Sequence, residues 1–551
     1  MIIEAFLIGV LFLFFWGWGC WTRRILSIST HSIALTVLLG MTFFGMVCNT
    51  LSFFTPLNLY IELAFMLFAA IGYLKNEHLQ TLQKVFTDNL LTNFWFWGFT
   101  AIAVLTGSYF AFVPDQFGYY VPTLKWLQHF GLVAGTANID WALGQMSLFH
   151  IIVSGLDQTL DVFLRLNIFI VAVYLVYVFE RKTYLLLLFV PFYFLFIQSL
   201  SPDLPVALIS LIIVNETCFR YGRHKFGALM LLSIFVFVIK PTAFWAPLFV
   251  TSVYLFRHKL IFTSRHHLPS LIACAVMLLL FVGKNILISG APVYPSQFLH
   301  LPVWWQPAPE VLDYTNYVSL SKPFNLTYPV EQIAVMTVWE RFVAWLTFDD
   351  VRAWINLGAI LLCIAFGVFA LVKKKTVYSV LWVVVTLKII VTFLFSGQFR
   401  FLLDGLFPLI FVMLMPLRIA STVIRTVSLV LFVVASLLLS HPRSMAHWFP
   451  PTYTRWMIEG FTVHSLVRPE TDVLETYRVA KVGNLTFNIS TGYFFNLDTP
   501  PPAFNEAWLK LYYEWNIFPQ LRNPSNIRRG IYMKHLSEDE RQQLEEILKK
   551  L

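Results

Sequence analysis

Residues 115–150, DQFGYYVPTLKWLQHFGLVAGTANIDWALGQMSLFH, form a polar island that opens just after an apolar run ending near Val113. The island starts with an acid at a membrane edge. It carries aromatic side chains suited to interface depth (Tyr119, Tyr120, Trp126, Trp141), and Gly131, Gly135 and Gly144 break it into short helical pieces. Such a segment makes a poor membrane span and a good wall for a site at the lipid surface.

Outward from this stretch, composition decides the class. Of 551 residues, 58% are hydrophobic and 13% charged, with 55 Phe and a mean hydropathy of +0.70. A water-soluble chain has no use for that much apolar surface, so the expected fold is an all-α polytopic membrane protein. The net charge of +9 is spread as short clusters between apolar runs, which fits membrane orientation and gives no nucleic-acid patch. Cys20, Cys48, Cys218, Cys274 and Cys363 lie in or beside apolar runs without metal-ligand spacing, so they read as packing residues. Residues 2–19 lack a basic leader and a small-residue cleavage site, and read as a retained span.

Apolar runs near 2–19, 32–54, 57–74, 93–112, 162–179, 184–200, 203–218, 226–239, 241–256, 268–289, 354–372, 377–396, 400–417 and 419–440 predict about fourteen transmembrane helices. With the N-terminus outside, every basic loop falls inside: Arg23/Arg24, Lys75/Lys84, Arg181/Lys182, Arg220/Arg223/Lys225, Arg257/Lys259/Arg265, Lys373 to Lys375, and Arg418. Five regions follow. Residues 1–92 hold three N-terminal helices, and 93–289 form a core with the large outer loop 113–161. Residues 290–353 form an outer loop with an interfacial helix around 329–347. Residues 354–440 hold the last helices, and 441–551 form a small outer α+β domain. In the tail, Gly483-Asn484 predicts a hairpin turn, and Ser537-Glu538-Asp539-Glu540 a capping box. Sequons occur at Asn325, Asn484 and Asn488.

The same topology puts Asp115, the Ser201-Pro202-Asp203 turn, Lys240, Lys284-Asn285 and Arg400 at the outer ends of helices, so residues far apart in sequence can line one cavity. Carboxylates beside apolar spans are functional candidates by default, although helix capping is the simpler role for each. Asp115 and Asp203 can supply a general base, or together hold a divalent metal such as Mg or Mn. Lys240, Lys284 and Arg400 can bind a lipid-linked phosphate, snorkelling being the alternative. Arg400 and Asp404 are spaced for an i, i+4 ion pair. Lys388 lies too deep to snorkel, with Asp404 or Glu62 as partner. His129 and His150 read as structural. Tyr119, Tyr120, Trp304 and Trp305 are placed to grip a polyprenyl chain or stack on a sugar, and Asn285 follows Lys284 toward the same face.

The pattern Asp115-x-x-x-Tyr119 followed by Gly131 in a first large outer loop resembles the GT-C superfamily of integral-membrane glycosyltransferases. So do the SPDLP turn from Ser201 to Pro205, Lys284-Asn285, the segment Gly290 to Pro295, Phe399-Arg400-Phe401 and Arg529-Gly530, which are similar to a bacterial branch of that superfamily. The resemblance implies a GT-C-like core and an enzyme that transfers a hexosyl or pentosyl unit, with inversion, from a polyprenyl-phosphate-sugar donor. The acceptor would be a glycan, lipid or protein, and the reaction would take place at the outer face. It implies Asp115 and Asp203 as catalytic residues and a bacterial inner membrane with both termini periplasmic. Gln116 stands where the family often has Glu, which disfavours a metal held by adjacent acids. The alternative function is a lipid-linked oligosaccharide transporter, a flippase, with Lys388 in its path.

Overall fold

The computed structural model describes residues 1–73, 93–257, 265–295, 299–324, 327–442, 460–471, 476–491, 496 and 499–551. Lys75, Lys84, Lys259 and Asn325 lie outside the described residues. The chain is mostly helical. Among the described residues, six helices are long and apolar enough to cross a membrane: Ile2–Ile25, Ile33–Ser52, Leu268–Ser289, Val351–Lys373, Thr376–Ser396 and Ser421–Ser440. Several other runs that read as spans form shorter helices, among them Leu59–Ile71, Phe94–Gly107 and Asp203–Cys218.

The run 184–200 departs from an α-helix altogether. Pro191 lacks the donor that the helical ladder needs, and Tyr184–Phe196 winds as a 3-10 helix of 13 residues. At a rise of about 2 Å per residue it extends ~26 Å, nearly the ~30 Å of a bilayer core, with fewer residues than an α-helix would need. Elsewhere, local chemistry sets the boundaries. Ser32, Asn58, Asn93 and Asp350 each cap a helix by accepting a backbone N–H.

Two ends can be told apart. At one end, the N-terminal amine of Met1 donates to Ser465 O at 2.8 Å and Ile3 N to Val467 O at 3.1 Å, so the chain start lies beside the tail. Arg165, at the head of helix Leu166–Arg181, donates to Glu470 O at the same end. At the far ends of those helices sit Arg23, Arg24 and Arg181, and Arg181 and Lys225 pair with Glu216 at 3.2 and 2.7 Å. The buried Glu62 takes the N–H groups of Gln158, Thr159 and Leu160, which rules it out as the partner of Lys388.

The tail forms a small α+β unit. β1 (Tyr477–Val482) and β2 (Leu485–Ser490) are antiparallel, with Val482 opposite Leu485, and β3 (Ala503–Phe504) joins β2 in parallel. β4 (Ile517–Leu521) pairs antiparallel with β5 (Ile531–His535). Gly483, at φ +58°, supplies the left-handed residue of the predicted hairpin. The predicted Ser537/Glu540 capping box opens helix Glu538–Lys549. Both tail sequons are engaged inside the fold: the Asn484 amide donates to Leu521 O at 2.8 Å and the Asn488 amide to Pro500 O at 2.7 Å.

The tail docks on the organising stretch. Ile531 N donates to Ala134 O at 2.9 Å, Tyr512 Oη to Asn138 O at 2.8 Å, and the Asn138 amide to Trp305 O at 3.0 Å. Residues 133–139 are therefore a joint between the helical body, the loop at Trp305 and the tail.

Candidate functional site

A cavity of about 2320 Å³ opens between the helical body and the tail. Four short irregular segments deliver Asp115, Asp203, Lys240 and Arg400 to its lining. Residues Gln116–Tyr120 form a single wide helical turn behind Asp115. Gln116 is buried, and its Oε1 accepts the Leu200 N–H at 2.8 Å, tying this turn to the one before Asp203. The Asn167 amide holds that second turn by donating to Phe196 O, Ser199 O and Ser201 O at 3.0, 2.7 and 3.0 Å. Lys240 sits in extended backbone between helix Phe226–Ile239 and Pro241, as a residue before proline must. Arg400 occupies the 3-10 turn Phe399–Phe401.

Together these segments build one ionic centre. Arg400 Nη1 lies 3.2 Å from Asp115 Oδ2 and 3.9 Å from Asp203 Oδ2, while Lys240 is ion-paired to the other oxygen of Asp203. Gln398 Oε1 accepts from Arg400 Nε at 3.1 Å, and the Phe401 ring lies under both cations, 3.9 Å from Lys240 Nζ and 5.2 Å from the Arg400 guanidinium. Burial works against the charge of Arg400, but Asp115 and Asp203 more than offset it and raise its pKa above the ordinary arginine value. For Lys240, burial outweighs the attraction of Asp203 and brings its pKa down to about 8.

Lys284 differs from the other two expected phosphate ligands. It is 2% exposed and lines the cavity, and among the described residues its ammonium meets only the Met146 carbonyl and the Phe281 ring. Among the described residues no carboxylate compensates it. An anion entering the cavity would therefore find Lys240 and Arg400 already neutralised by acids and Lys284 not.

The remaining sequence candidates divide by place. Tyr119, Tyr120 and Asn285 line the cavity, with the two tyrosine rings 4.5 Å apart edge to face and the Asn285 amide donating to Pro292 O at 2.9 Å. Trp304 and Trp305 are not in its lining. Trp305 Nε1 donates to Ile286 O at 3.0 Å, and Trp304 stacks with Arg522 at 4.4 Å, so both serve the joint with the tail. His150 is buried between Leu200 O and the Ser147 N–H, and burial pushes its pKa down to about 3, leaving it neutral. His129 bonds its own helix at Lys125 O.

The i, i+4 pair expected between Arg400 and Asp404 is absent. Arg400 lies in a separate 3-10 turn and the helix begins only at Leu403, so the two side chains do not share a helical face. Asp404 instead pairs with Lys388 and accepts from Trp245 Nε1 at 3.0 Å, and Lys388 does not line the cavity.

Asp140 and Lys322 join the cavity without a motif to mark them in the sequence. Asp140 is 5% exposed and lines the cavity, and burial raises its carboxyl to about 6. Lys322 also lines it, 5.0 Å from the Trp141 ring. The available signal for the first is an acid directly before an aromatic residue, Asp140-Trp141, inside the organising stretch.

The acids do not fit a divalent ion held between them, because Arg400 bridges Asp115 and Asp203 and Lys240 takes the remaining Asp203 oxygen. Gln116 faces Leu200 rather than the cavity and completes no ligand set.

No curated protein and no solved structure matches the chain. A family pattern described as a domain of unknown function, DUF8201, matches residues 1–407, which include every charged residue of the ionic centre. The chain belongs to that family.

Proposed function

We propose that this protein is a GT-C-type membrane glycosyltransferase that moves a sugar from a polyprenyl-phosphate donor to a glycan, lipid or protein acceptor at the outer face of a bacterial inner membrane. The reading includes a GT-C-like core, about fourteen membrane crossings when the shorter helices are counted, and both termini outside. The observation that carries it is the cavity itself. It joins two carboxylates, their bridging Arg400 and an uncompensated Lys284 to apolar lining residues Leu299, Leu394 and Phe395, which are 69%, 43% and 48% exposed. That combination suits a substrate with an anionic head and a lipid tail.

In this mechanism Lys284 binds the donor phosphate. Asp115 takes the proton of the acceptor hydroxyl as its oxygen bonds to the anomeric carbon. The bond from that carbon to the phosphate oxygen breaks, its electron pair leaves on polyprenyl phosphate, and configuration inverts. Asp203 and Arg400 hold Asp115 in place. Lys388, paired with Asp404 outside the lining, favours this reading over a lipid-linked oligosaccharide transporter. The purified protein in nanodiscs, offered a panel of radiolabelled polyprenyl-phosphate sugars with native membrane acceptors, is expected to transfer label from at least one. Flipping of intact lipid-linked oligosaccharide without any new glycosidic bond would contradict it.

A further inference from the structure

Asp140 carries a charge for which the ionic centre gives no use. Among the described residues its carboxylate accepts one hydrogen bond, Oδ1 from the Ala142 N–H at 2.8 Å, and no cation lies within ion-pair distance. Two carboxylate oxygens offer about four acceptor positions, and those left open face the cavity, where a ligand's donors can take them in place of water. The residue faces the cavity, and at neutral pH it is ionised and can only accept. What completes it must therefore donate.

The surroundings narrow the donor. Trp141 and Tyr314, both partly exposed, line the same wall, and across the seam the tail contributes Asn505, Glu506 and Trp508. Aromatic faces beside a few polar groups suit a ring with apolar C–H faces and hydroxyls at its edge. The place is also separate from Lys284. Asp140 caps the start of the 3-10 helix Trp141–Gln145, and Lys284 holds the Met146 carbonyl at its end, roughly 10 Å away at about 2 Å per residue. A cavity of about 2320 Å³ exceeds the roughly 300–1,000 Å³ that one small ligand fills, leaving room for two substrates.

We propose that Asp140, Trp141 and the tail residues Asn505, Glu506 and Trp508 form the acceptor subsite, and that it takes the terminal sugar of a glycan, whose hydroxyls donate to the Asp140 carboxylate. The word acceptor rests on the glycosyltransferase reading; the sugar-binding wall does not. The tail thereby completes the site that the helical body begins.

The test uses the full chain in lipid nanodiscs, titrated with an array of neutral oligosaccharides of defined composition in the presence of a polyprenyl phosphate, with the two ligands read separately by native mass spectrometry. Wild type is expected to bind at least one oligosaccharide. Asp140→Asn keeps an acceptor for the Ala142 N–H and so keeps the fold, and is expected to weaken that glycan about tenfold or more while polyprenyl-phosphate binding is unchanged. Trp141→Ala is expected to do the same, and Lys284→Met the reverse. No glycan bound by wild type, or Asp140→Asn equal to wild type, overturns the proposal. Glycan binding without polyprenyl-phosphate binding in wild type overturns the glycosyltransferase reading and leaves the sugar site standing.

Discussion

Arg400 reaches Asp115 at 3.2 Å across 285 residues of chain and Asp203 at 3.9 Å, so one guanidinium fixes the separation of the two acids. Both contacts fall on Nη1, while Nε is anchored to Gln398 at 3.1 Å; a lysine keeps the charge but loses that anchor, and its flexible stem holds the ammonium there less firmly. Arg400→Lys is therefore expected to lower sugar transfer by roughly 10- to 100-fold, in line with the ~1.5–3 kcal/mol of a charge-assisted hydrogen bond, with donor binding little changed. Separate measurement of kcat and KM checks this, and a pure KM effect would assign Arg400 to donor binding instead.

Lys284 should trade stability for binding. Its ammonium is buried without an acid, so Lys284→Met removes a desolvated charge and is expected to hold or raise the melting temperature. The same change is expected to weaken polyprenyl phosphate by about tenfold or more. Lys240→Met leaves Asp203 less compensated and should lower the melting temperature.

The pair of Lys388, fully buried, and Asp404, 7% exposed, joins helix Thr376–Ser396 to helix Leu403–Leu414. Lys388→Met leaves Asp404 buried and charged, for an expected loss of about 3–5 kcal/mol in stability. Lys388→Met combined with Asp404→Asn keeps an acceptor for Trp245 and should recover most of it. Thermal unfolding reads both. The double variant is expected to retain sugar transfer, whereas a transporter using Lys388 would lose function.

Asp140 should lend stability a pH signature. Burial raises its folded carboxyl from 3.8 to about 6, so ionisation costs stability fully above about 6, and the cost fades as pH falls toward 4, where the unfolded chain also takes the proton. Asp140→Asn has no such cost. It is expected to melt above wild type at pH 7.5, with the gap closing between pH 6 and 4; a constant gap would place the effect in packing rather than charge.

Much of the site could be read before the structure. Asp115, Asp203, Lys240, Lys284 and Arg400 stand out in the sequence as charges beside apolar runs, where burial is expensive, and all five line the one cavity. The ion-pair partners were not legible: the i, i+4 rule assumes a continuous helix, and the break between Phe401 and Leu403 sends Arg400 and Asp404 to different partners. Trp304 and Trp305 fit a ligand-gripping pattern, yet Trp304 packs on Arg522 of the tail and Trp305 bonds Ile286 O of the helical body, because an aromatic pair fits a protein joint equally well. The 3-10 winding of Tyr184–Phe196 hid in a uniformly apolar run, where hydrophobic periodicity is silent.

The most direct measurement is transfer of radiolabelled sugar from polyprenyl-phosphate donors in membranes carrying wild type or Asp115→Asn, with and without chelator. Label is expected to move with wild type only and to be indifferent to chelator, since Arg400 and Lys240 fill the space between and beside the acids. Equal transfer by Asp115→Asn, or none by either protein with native acceptors present, would contradict the glycosyltransferase assignment.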